Sequence, residues 1–460
     1  MLYLRNMDEI WCIRDEDIAF ARGCLKDTLK AGADAVRITL YKSIMDLVSL
    51  RNGTPEKVSR SADRHITFCI FADGRYGTFS TNRISEGEMK AFIQEAVKTV
   101  RMLAPDPFRT LPDPSRICRE AVTGREMDLY DDEYASMTPS RRMDLAREAS
   151  FFSKAVPKGY KVISEEMEYS DSLSDVMLFD SQGLEARSTD TSFDLGCEYT
   201  IEDKDGHKLS GYWWDSSPRL KDVDIKGVCP RALERAAACI GASSIPTGKY
   251  TMVVESEVAS KLLNPLLTAL GGSSLQQNNS FLCDSLGRQI FSKGLTVKDL
   301  PRTPGKNGAR LCDSEGVSAY NCTVIENGVV KRYFLNTYMA GKMGMEPTIE
   351  DCMRAVVSPW WSFPGTPSHI GLQQIKDACG EGILVTGFNG GNCNSATGDF
   401  SYGIEGFYFK GGESRPVHGM VATGNMITLW NNLLAAGDDS RPCASKVVPS
   451  LAFANVDFSA

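Results

Sequence analysis

The sequence predicts an α+β fold, an N-terminal helix/sheet region followed by a larger, mostly antiparallel β C-terminal domain. Three observations carry that expectation. The first hundred residues read as helix, several strands, helix; apolar and polar residues alternate from Tyr160 to Trp214; and short strands with turns dominate beyond Ser273. At 460 residues the chain exceeds what one core usually fills. Three segments are expected: 1–103, an α+β subdomain; 104–222, a connector, helix and β-meander; and 223–460, a strand-rich domain.

Asp15 to Lys30 places Ile18, Ala21, Leu25 and Leu29 on one face and predicts an amphipathic helix closed by Gly32. Ala35 to Tyr41 alternates as a half-buried strand does. Asp46 to Leu50, Ile66 to Phe71 and Arg75 to Ser80 continue the sheet, with Asp73-Gly74 as a hairpin turn. Glu86 to Leu103 is a second helix, and Ser85 with Glu88 has capping-box spacing. Four prolines between Ala104 and Pro114 make an extended connector. A helix opens near Thr138 with Pro139 in its first turn.

Four meander strands follow, at Lys161–Tyr169, Ser174–Asp180, Leu184–Tyr199 and Lys208–Trp214, with turns at Asp180–Gly183 and Asp203–Gly206. The polar stretch Ser216 to Val228 is an expected boundary. A helix over Pro230 to Ile240, a strand over Lys249 to Val254 and a helix over Ser256 to Leu270 come next. Ser256 is the expected N-cap of the last of these, and Pro265 falls inside it, removing one hydrogen bond and forcing a kink. Ile325 to Val330 has a hairpin pattern around Asn327-Gly328.

Composition excludes several function classes. Lys plus Arg number 51 against 59 Asp plus Glu, a net charge of −8, which argues against a general nucleic-acid binder. Arg141-Arg142 and Lys158 to Lys161 are too short for a basic patch. No run of 18 apolar residues occurs, and Met1 to Ile10 lacks a basic start followed by an apolar run. The 14 cysteines contain no C-x-x-C pair, so reduced thiols and a cytoplasmic location are expected.

A complete active site is not legible from the residues alone. The four histidines, His65, His207, His369 and His418, lie far apart, and the i, i+4 pairing that presents two imidazoles to zinc is missing. Cys443 could act as a nucleophile only with a histidine beside it in space; an inert or half-buried thiol is the simpler reading. No G-x-x-x-x-G-K-[ST] loop is present. Trp213-Trp214 and Trp360-Trp361 have two readings, as stacking platforms or as core or interface anchors. From Gly387 to Gly398 glycine and asparagine crowd the chain; a hairpin follows over Ile404 to Lys410, Gly411-Gly412 and Val417 to Ala422. This is an ordinary hairpin after a glycine-rich loop, or a loop and sheet edge that hold an extended peptide by its main chain.

Several runs resemble the TldD/PmbA family, long labelled modulators of DNA gyrase. They are Ser280-Phe-Leu-Cys-Asp-Ser-Leu-Gly-Arg-Gln-Ile-Phe291, Asp313-Ser-Glu-Gly-Val317, Val324-Ile-Glu-Asn-Gly-Val-Val330 and Ala396-Thr-Gly-Asp-Phe-Ser-Tyr-Gly403. Ala422-Thr-Gly-Asn-Met426 with Leu429-Trp430-Asn431 completes the set. The resemblance implies a role in a TldD–TldE heterodimeric metalloprotease that degrades unfolded or leader-type peptides. Its TldD branch holds zinc through an H-E-x-x-x-H helix and a cysteine near the C-terminus, leaving an open position for a metal-bound water.

The corresponding helix here, Ser256 to Leu270, contains no histidine and reads Leu263-Asn-Pro-Leu-Leu-Thr268 where the motif is expected. Cys443 falls near the family's ligand cysteine without histidine partners. The chain is therefore similar to the PmbA/TldE branch, with no catalytic residue, metal ligand or cofactor expected in it and zinc expected in a TldD-like companion. Its expected role is to complete the substrate chamber. Asn389, Asn394, Thr397, Gly398, Asp399 and Ser401 are the expected peptide or partner contacts. The alternative is a stand-alone regulatory or binding protein, homodimeric when alone, that modulates a partner such as DNA gyrase. A thiol hydrolase using Cys443 is a third, weaker reading.

Overall fold

The computed structural model describes residues 11–83, 85–156, 159–441 and 443–460. The expectations placed on Met1–Ile10 and on Lys158 lie outside the described residues. The chain divides into two compact units: Met1–Glu234 with Arg302–Ala319 and Asn336–Ile349, and Arg235–Pro301 with Tyr320–Leu335 and Glu350–Ala460. The architecture is α+β.

The first unit contains α1 (Asp15–Lys30), β1 (Ala35–Arg51), β2 (Thr54–Ala72), β3 (Arg75–Thr81), α2 (Glu86–Val100), α3 (Pro139–Ala149), β4 (Lys161–Asp180), β5 (Glu185–Glu202) and β6 (Lys208–Ser217). Its six strands form one antiparallel sheet in the order β3-β2-β1-β4-β5-β6. Val36, Ile38, Leu40, Ile66, Phe68 and Ile70 alternate with mostly half-buried neighbours and pack beneath α1 and α2. The turn Asp73-Gly74 has positive φ at both positions, as a two-residue hairpin needs.

Several strands are longer than the sequence suggests, three of them markedly so in this unit. The expected pieces Ala35–Tyr41 and Asp46–Leu50 are one strand, β1; Lys161–Tyr169 and Ser174–Asp180 are one strand, β4; and β2 begins at Thr54. The polar residues that interrupt the apolar pattern are paired with side chains and main chain from α1 and the residues just before it, α3 and neighbouring strands. Lys42 is buried, and its ammonium donates to Asp17 Oδ2 at 2.6 Å and to the Cys12 carbonyl at 3.2 Å. Burial pushes the Asp17 carboxyl up, but the Lys42 ammonium and the Arg14 N–H outweigh it, leaving the group below the usual carboxylate range.

Buried Asp171, in the middle of β4, accepts two bonds of 2.7 Å from Arg142 of α3 and one of 3.0 Å from the Tyr169 hydroxyl. Arg142 also lies 3.2 Å from Asp46 of β1, which Arg60 of β2 grips through two bonds of 2.8 and 3.0 Å.

The second unit follows α4 (Val228–Ala238), which spans the division between the two. It contains β7 (Gly248–Val254), α5 (Ser256–Ala269), α6 (Gly272–Gln276), β8 (Val297–Asp299), β9 (Cys322–Glu326) and β10 (Val329–Val330). After α7 (Thr337–Met343), which belongs to the first unit, come β11 (Ala355–Val357), β12 (Trp360–Trp361), α8 (Leu372–Cys379), β13 (Glu381–Phe388) and β14 (Asn392–Cys393). β15 (Asp399–Lys410), β16 (Glu413–Asn425), α9 (Met426–Asn431), β17 (Leu433–Ala436) and β18 (Leu451–Ser459) complete it.

A small sheet runs β10-β9-β8-β11, and a large one runs β12-β17-β18-β16-β15-β13-β7. Because β18 also pairs with β7, the strands β7, β13, β15, β16 and β18 close on themselves as a small barrel. Only the β7–β13 pairing is parallel among the described strands. The Gly411-Gly412 turn joins β15 to β16, both longer than their sequence pattern implies.

Two capping expectations are corrected. Ser85 does precede α2, but its hydroxyl bonds the Glu88 carboxylate at 2.8 Å instead of a backbone N–H. Glu255, not Ser256, is the N-cap of α5, and it caps nothing because its carboxylate is engaged by Arg235.

Replacing Asp171 by Asn leaves Arg142 buried without its bidentate partner. The expected loss of unfolding free energy, read by urea denaturation, is about 3–5 kcal/mol. A loss under about 1 kcal/mol would show that Asp46 alone compensates the guanidinium.

Candidate functional site

The site is built around α5, which starts where β7 ends. Glu255 donates its N–H to the Val385 carbonyl at 3.1 Å, and its carboxylate accepts from Arg235 Nη1 at 2.9 Å. Arg235 Nη2 in turn reaches the Thr386 carbonyl at 2.6 Å, so the start of the helix is tied to β13. Ala259, Leu262, Leu263, Leu266 and Leu267 form its buried stripe, and the Trp430 indole N–H donates to the Leu262 carbonyl at 3.3 Å. Each buried leucine contributes about 1.5–3 kcal/mol. Together they outweigh the roughly 3 kcal/mol that an internal proline costs a helix, and α5 runs through Pro265 to Ala269.

With that stripe facing inward, Lys261, Asn264, Pro265 and Thr268 share the opposite face at i, i+3, i+4 and i+7. They line a cleft of about 290 Å³, whose other wall is Phe281, the segment Gly391–Cys393, Ser395 and Tyr402. The Tyr402 ring stacks on Phe400 with centroids 5.4 Å apart and meets Phe388 edge-on at 5.5 Å. Lys261 Nζ lies 5.0 Å from the centre of that ring. Burial pushes the Tyr402 phenol up to about 12, so it stays a neutral hydroxyl at physiological pH. Burial, and then the Asp399 carboxylate, push the Cys393 thiol up as well.

The glycine- and asparagine-rich run forms the second wall as a chain of bonded turns. Asn389 N–H donates to the Gly403 carbonyl at 2.7 Å, and β14 pairs Asn392 with Ser401 and Cys393 with Phe400. Asn394 Oδ1 accepts from the Ala396 and Thr397 N–H groups at 2.9 and 3.3 Å. Gly398 has φ +80°, and a Cβ there would sit 3.1 Å from the Phe281 ring. The Asp399 carboxylate accepts from Asn425 Nδ2 at 2.9 Å and from the Thr397 hydroxyl at 2.7 Å, and these two bonds hold it below the usual range. Asn425 also donates to the Thr397 carbonyl at 2.9 Å and caps α9 through Ile427 N–H at 3.0 Å.

Thus Asn394, Thr397, Gly398 and Asp399 are gathered at one turn, with the side chains of Asn394, Thr397 and Asp399 engaged inside the chain. Asn389 and Ser401 sit one on each side of β14. None of these six lines the cleft, whereas their neighbours Asn392, Cys393 and Ser395 do. Lys261, Asn264, Thr268, Phe281 and Tyr402 were not singled out from the sequence. The signal for the α5 residues is the polar stripe opposite its leucines.

The histidines are scattered. His65 stacks on Tyr41 and meets Asp63 at 2.9 Å, His207 meets Asp203 at 3.1 Å, and His369 pairs with Asp438. None of the four lines the cleft, nor does Cys443, which is buried.

Two other donor groups occur among the described residues. Asp203, Asp205 and His207 share a turn, and Glu165, Cys197 and Cys229 are buried together. Glu165 is already engaged by the Ser150 and Tyr199 hydroxyls and by the Phe151 N–H at 2.8 Å.

Trp214 lines a separate, acid-rich groove of about 380 Å³ on the first unit's sheet with Glu166, Glu168, Asp194, Glu198 and Tyr212. Trp360 fills the space that Gly294 leaves open, and Trp361 packs on Phe363 at 5.0 Å, so this pair serves the core.

Cleft, barrel and N-terminal sheet define a class already represented among known proteins. Residues 247–460 match the PmbA/TldA metallopeptidase C-terminal domain, 132–240 the central domain and 36–100 domain 1. A protein of Bacteroides thetaiotaomicron VPI-5482, described as a modulator of DNA gyrase, is 38% identical with a TM-score of 0.91, over 97% of this chain and 99% of that one. Metalloprotease PmbA of Escherichia coli O157:H7 is 25% identical over 92% of each chain. TldE from Thermococcus kodakarensis has the same fold, with a TM-score of 0.81 over 96% of this chain and 100% of that one at 18% identity. The chain belongs to the PmbA/TldD metallopeptidase family, of which it is a PmbA/TldE-like member.

Asn425→Ala removes the cap of α9 and both of its bonds to the Thr397–Asp399 turn. A loss of about 1–2 kcal/mol by thermal or urea unfolding is expected. Hydrogen exchange should rise at residues 394–400, and unchanged exchange there would show that the turn stands without this lock.

Proposed function

We propose that this chain is the non-catalytic, TldE-like subunit of a two-component metalloprotease. It completes a substrate chamber and presents unfolded or leader-type peptide to a TldD-like companion that carries the zinc. One observation carries the reading. The face of α5 turned into the cleft offers Lys261, Asn264, Pro265 and Thr268, where the family resemblance places the zinc helix.

That donor set does not fit zinc, which takes imidazole, thiolate or carboxylate ligands. An ammonium at Lys261 repels a cation, and proline offers no side-chain donor. The cleft retains what peptide holding needs: an aromatic wall, side-chain amides, a hydroxyl and a short strand. Asn389, Asn394, Thr397, Gly398, Asp399 and Ser401 then serve by holding that strand in place or by meeting the companion. Among the described residues no helix is long and apolar enough to cross a membrane, and the pair is proposed to work in the cytoplasm. The description of the Bacteroides relative supports a second reading, a regulatory protein acting on a topoisomerase without proteolysis.

The test uses the purified chain, a TldD-like chain from the same genome and the pair, each assayed for cleavage of an unfolded peptide. Co-purification, with cleavage by the pair and none by this chain, is the expected result. Chelator-sensitive cleavage by this chain alone would overturn the proposal. Failure to associate with any such companion would favour the regulatory reading.

A further inference from the structure

Among the described residues, Lys261 is the one cation that lines the cleft, and it forms no ion pair. It lies 5.0 Å above the Tyr402 ring. The chamber therefore presents a positive charge on an aromatic floor, flanked by Asn264, Thr268 and Ser395 as further polar groups. A cation held beside a ring, with its ammonium hydrogens unshared by any carboxylate, is a docking point for an anion.

The wall opposite supplies a second element. β14 pairs with β15 along one edge. Asn394 N–H donates to the Asp399 carbonyl at 2.8 Å, which makes residues 394 and 399 a hydrogen-bonded pair. Antiparallel ladders alternate bonded and non-bonded pairs, so Asn392–Ser401 is bonded and Cys393–Phe400 is not. The Cys393 N–H and C=O consequently point away from β15. Cys393 lines the cleft beside Lys261, and in the same segment the Ser395 carbonyl two residues on accepts from the Phe281 N–H at 3.0 Å, so the edge offered to a ligand is the single residue Cys393. A short exposed edge of this kind accepts an extended peptide as an added strand.

We infer that the cleft is an acidic-residue subsite: an extended peptide pairs its backbone with Cys393 on the open edge of β14 and places an Asp or Glu side chain on Lys261. A peptide that adds to a strand runs on in both directions, so the carboxylate comes from a side chain within the chain and not from its terminus. The inference rests on the peptide-presenting role proposed above and adds a preference to it. Substrates or leader segments with a carboxylate flanked by extended, uncharged residues are the class selected. Lys261 sets the selectivity, Tyr402 positions it, and the main chain of Cys393 supplies sequence-independent affinity.

The test measures binding to the isolated full chain by fluorescence anisotropy. The probes are labelled peptides of about eight residues, built of Thr and Val and capped at both ends, with a central Asp or Asn. The Asp peptide is expected to bind on the order of tenfold more tightly than the Asn peptide at low salt, with the difference shrinking as salt rises. Lys261→Gln should erase the difference between the two peptides, and Lys261→Arg should restore it. N-methylation of the amide beside the Asp should weaken both wild-type and variant complexes.

Equal binding of the two peptides would overturn the inference, as would a preference that survives Lys261→Gln. So would binding confined to peptides with a free C-terminal carboxylate, or no binding at all. Because no companion is present, these outcomes are independent of the cleavage assay. A pair that cleaves without acidic preference sinks this inference and leaves the proposed function standing.

Discussion

The rotation of α5 is the constraint on which the candidate site depends. Leu262, Leu263, Leu266 and Leu267 drive one side of the helix into the core, and the Trp430 indole fixes its depth through the Leu262 carbonyl. The Glu255–Arg235–Thr386 chain of bonds fixes its start. With those contacts made, Lys261, Asn264, Pro265 and Thr268 have nowhere to face but the cleft. A turn of about 100° per residue would exchange an apolar wall for a polar one. The chemistry of the chamber is thus set by packing on its far side.

The glycine-rich wall obeys the same logic by different means. Its side chains hold shape and its main chain is left to make contact. Asp399, Thr397 and Asn425 bond one another, and Asn394 closes the turn on its own backbone. Asn394, Thr397 and Asp399 are among the residues whose chemistry points to a ligand in the linear sequence. In the fold they brace a two-residue strand whose neighbours, Asn392, Cys393 and Ser395, line the cleft. Polar residue type pointed to a loop beside the cleft, and only the hydrogen-bond partners separate bracing from contact.

Local features were legible because their causes are local. The α1 stripe, the Asp73-Gly74 and Gly411-Gly412 turns and the hairpin at Asn327-Gly328 each depend on residues within a few positions. Strand length was not legible, because polar residues inside β1 and β4 find partners far along the chain. Asp171 falls between two expected strands until Arg142 is seen beside it, and Lys42 falls between two others until Asp17 is. The charged start of β2 lies outside the expected strand Ile66–Phe71, yet its ladder with β1 extends the strand back to Thr54. Ser85 failed as a cap because its own hydroxyl is taken by Glu88, and Ser256 because the helix takes Glu255 as its N-cap. The cleft stayed hidden for the same reason as the strands. Lys261 and Tyr402 belong to elements distant in sequence, and nothing in either alone says that they meet.

A family labelled by its metal chemistry contains, in this chain, a cleft whose helix presents an ammonium where the family resemblance places the zinc motif. The division of labour proposed for the pair follows: one polypeptide shapes and selects the peptide, and the other activates water against it. The most direct measurement is anomalous diffraction at the zinc edge from crystals of this chain with a TldD-like companion. The account predicts a peak in the companion and none within ligand distance of Asn264, Thr268 or Cys443. A zinc peak in this chain's own cleft would contradict it.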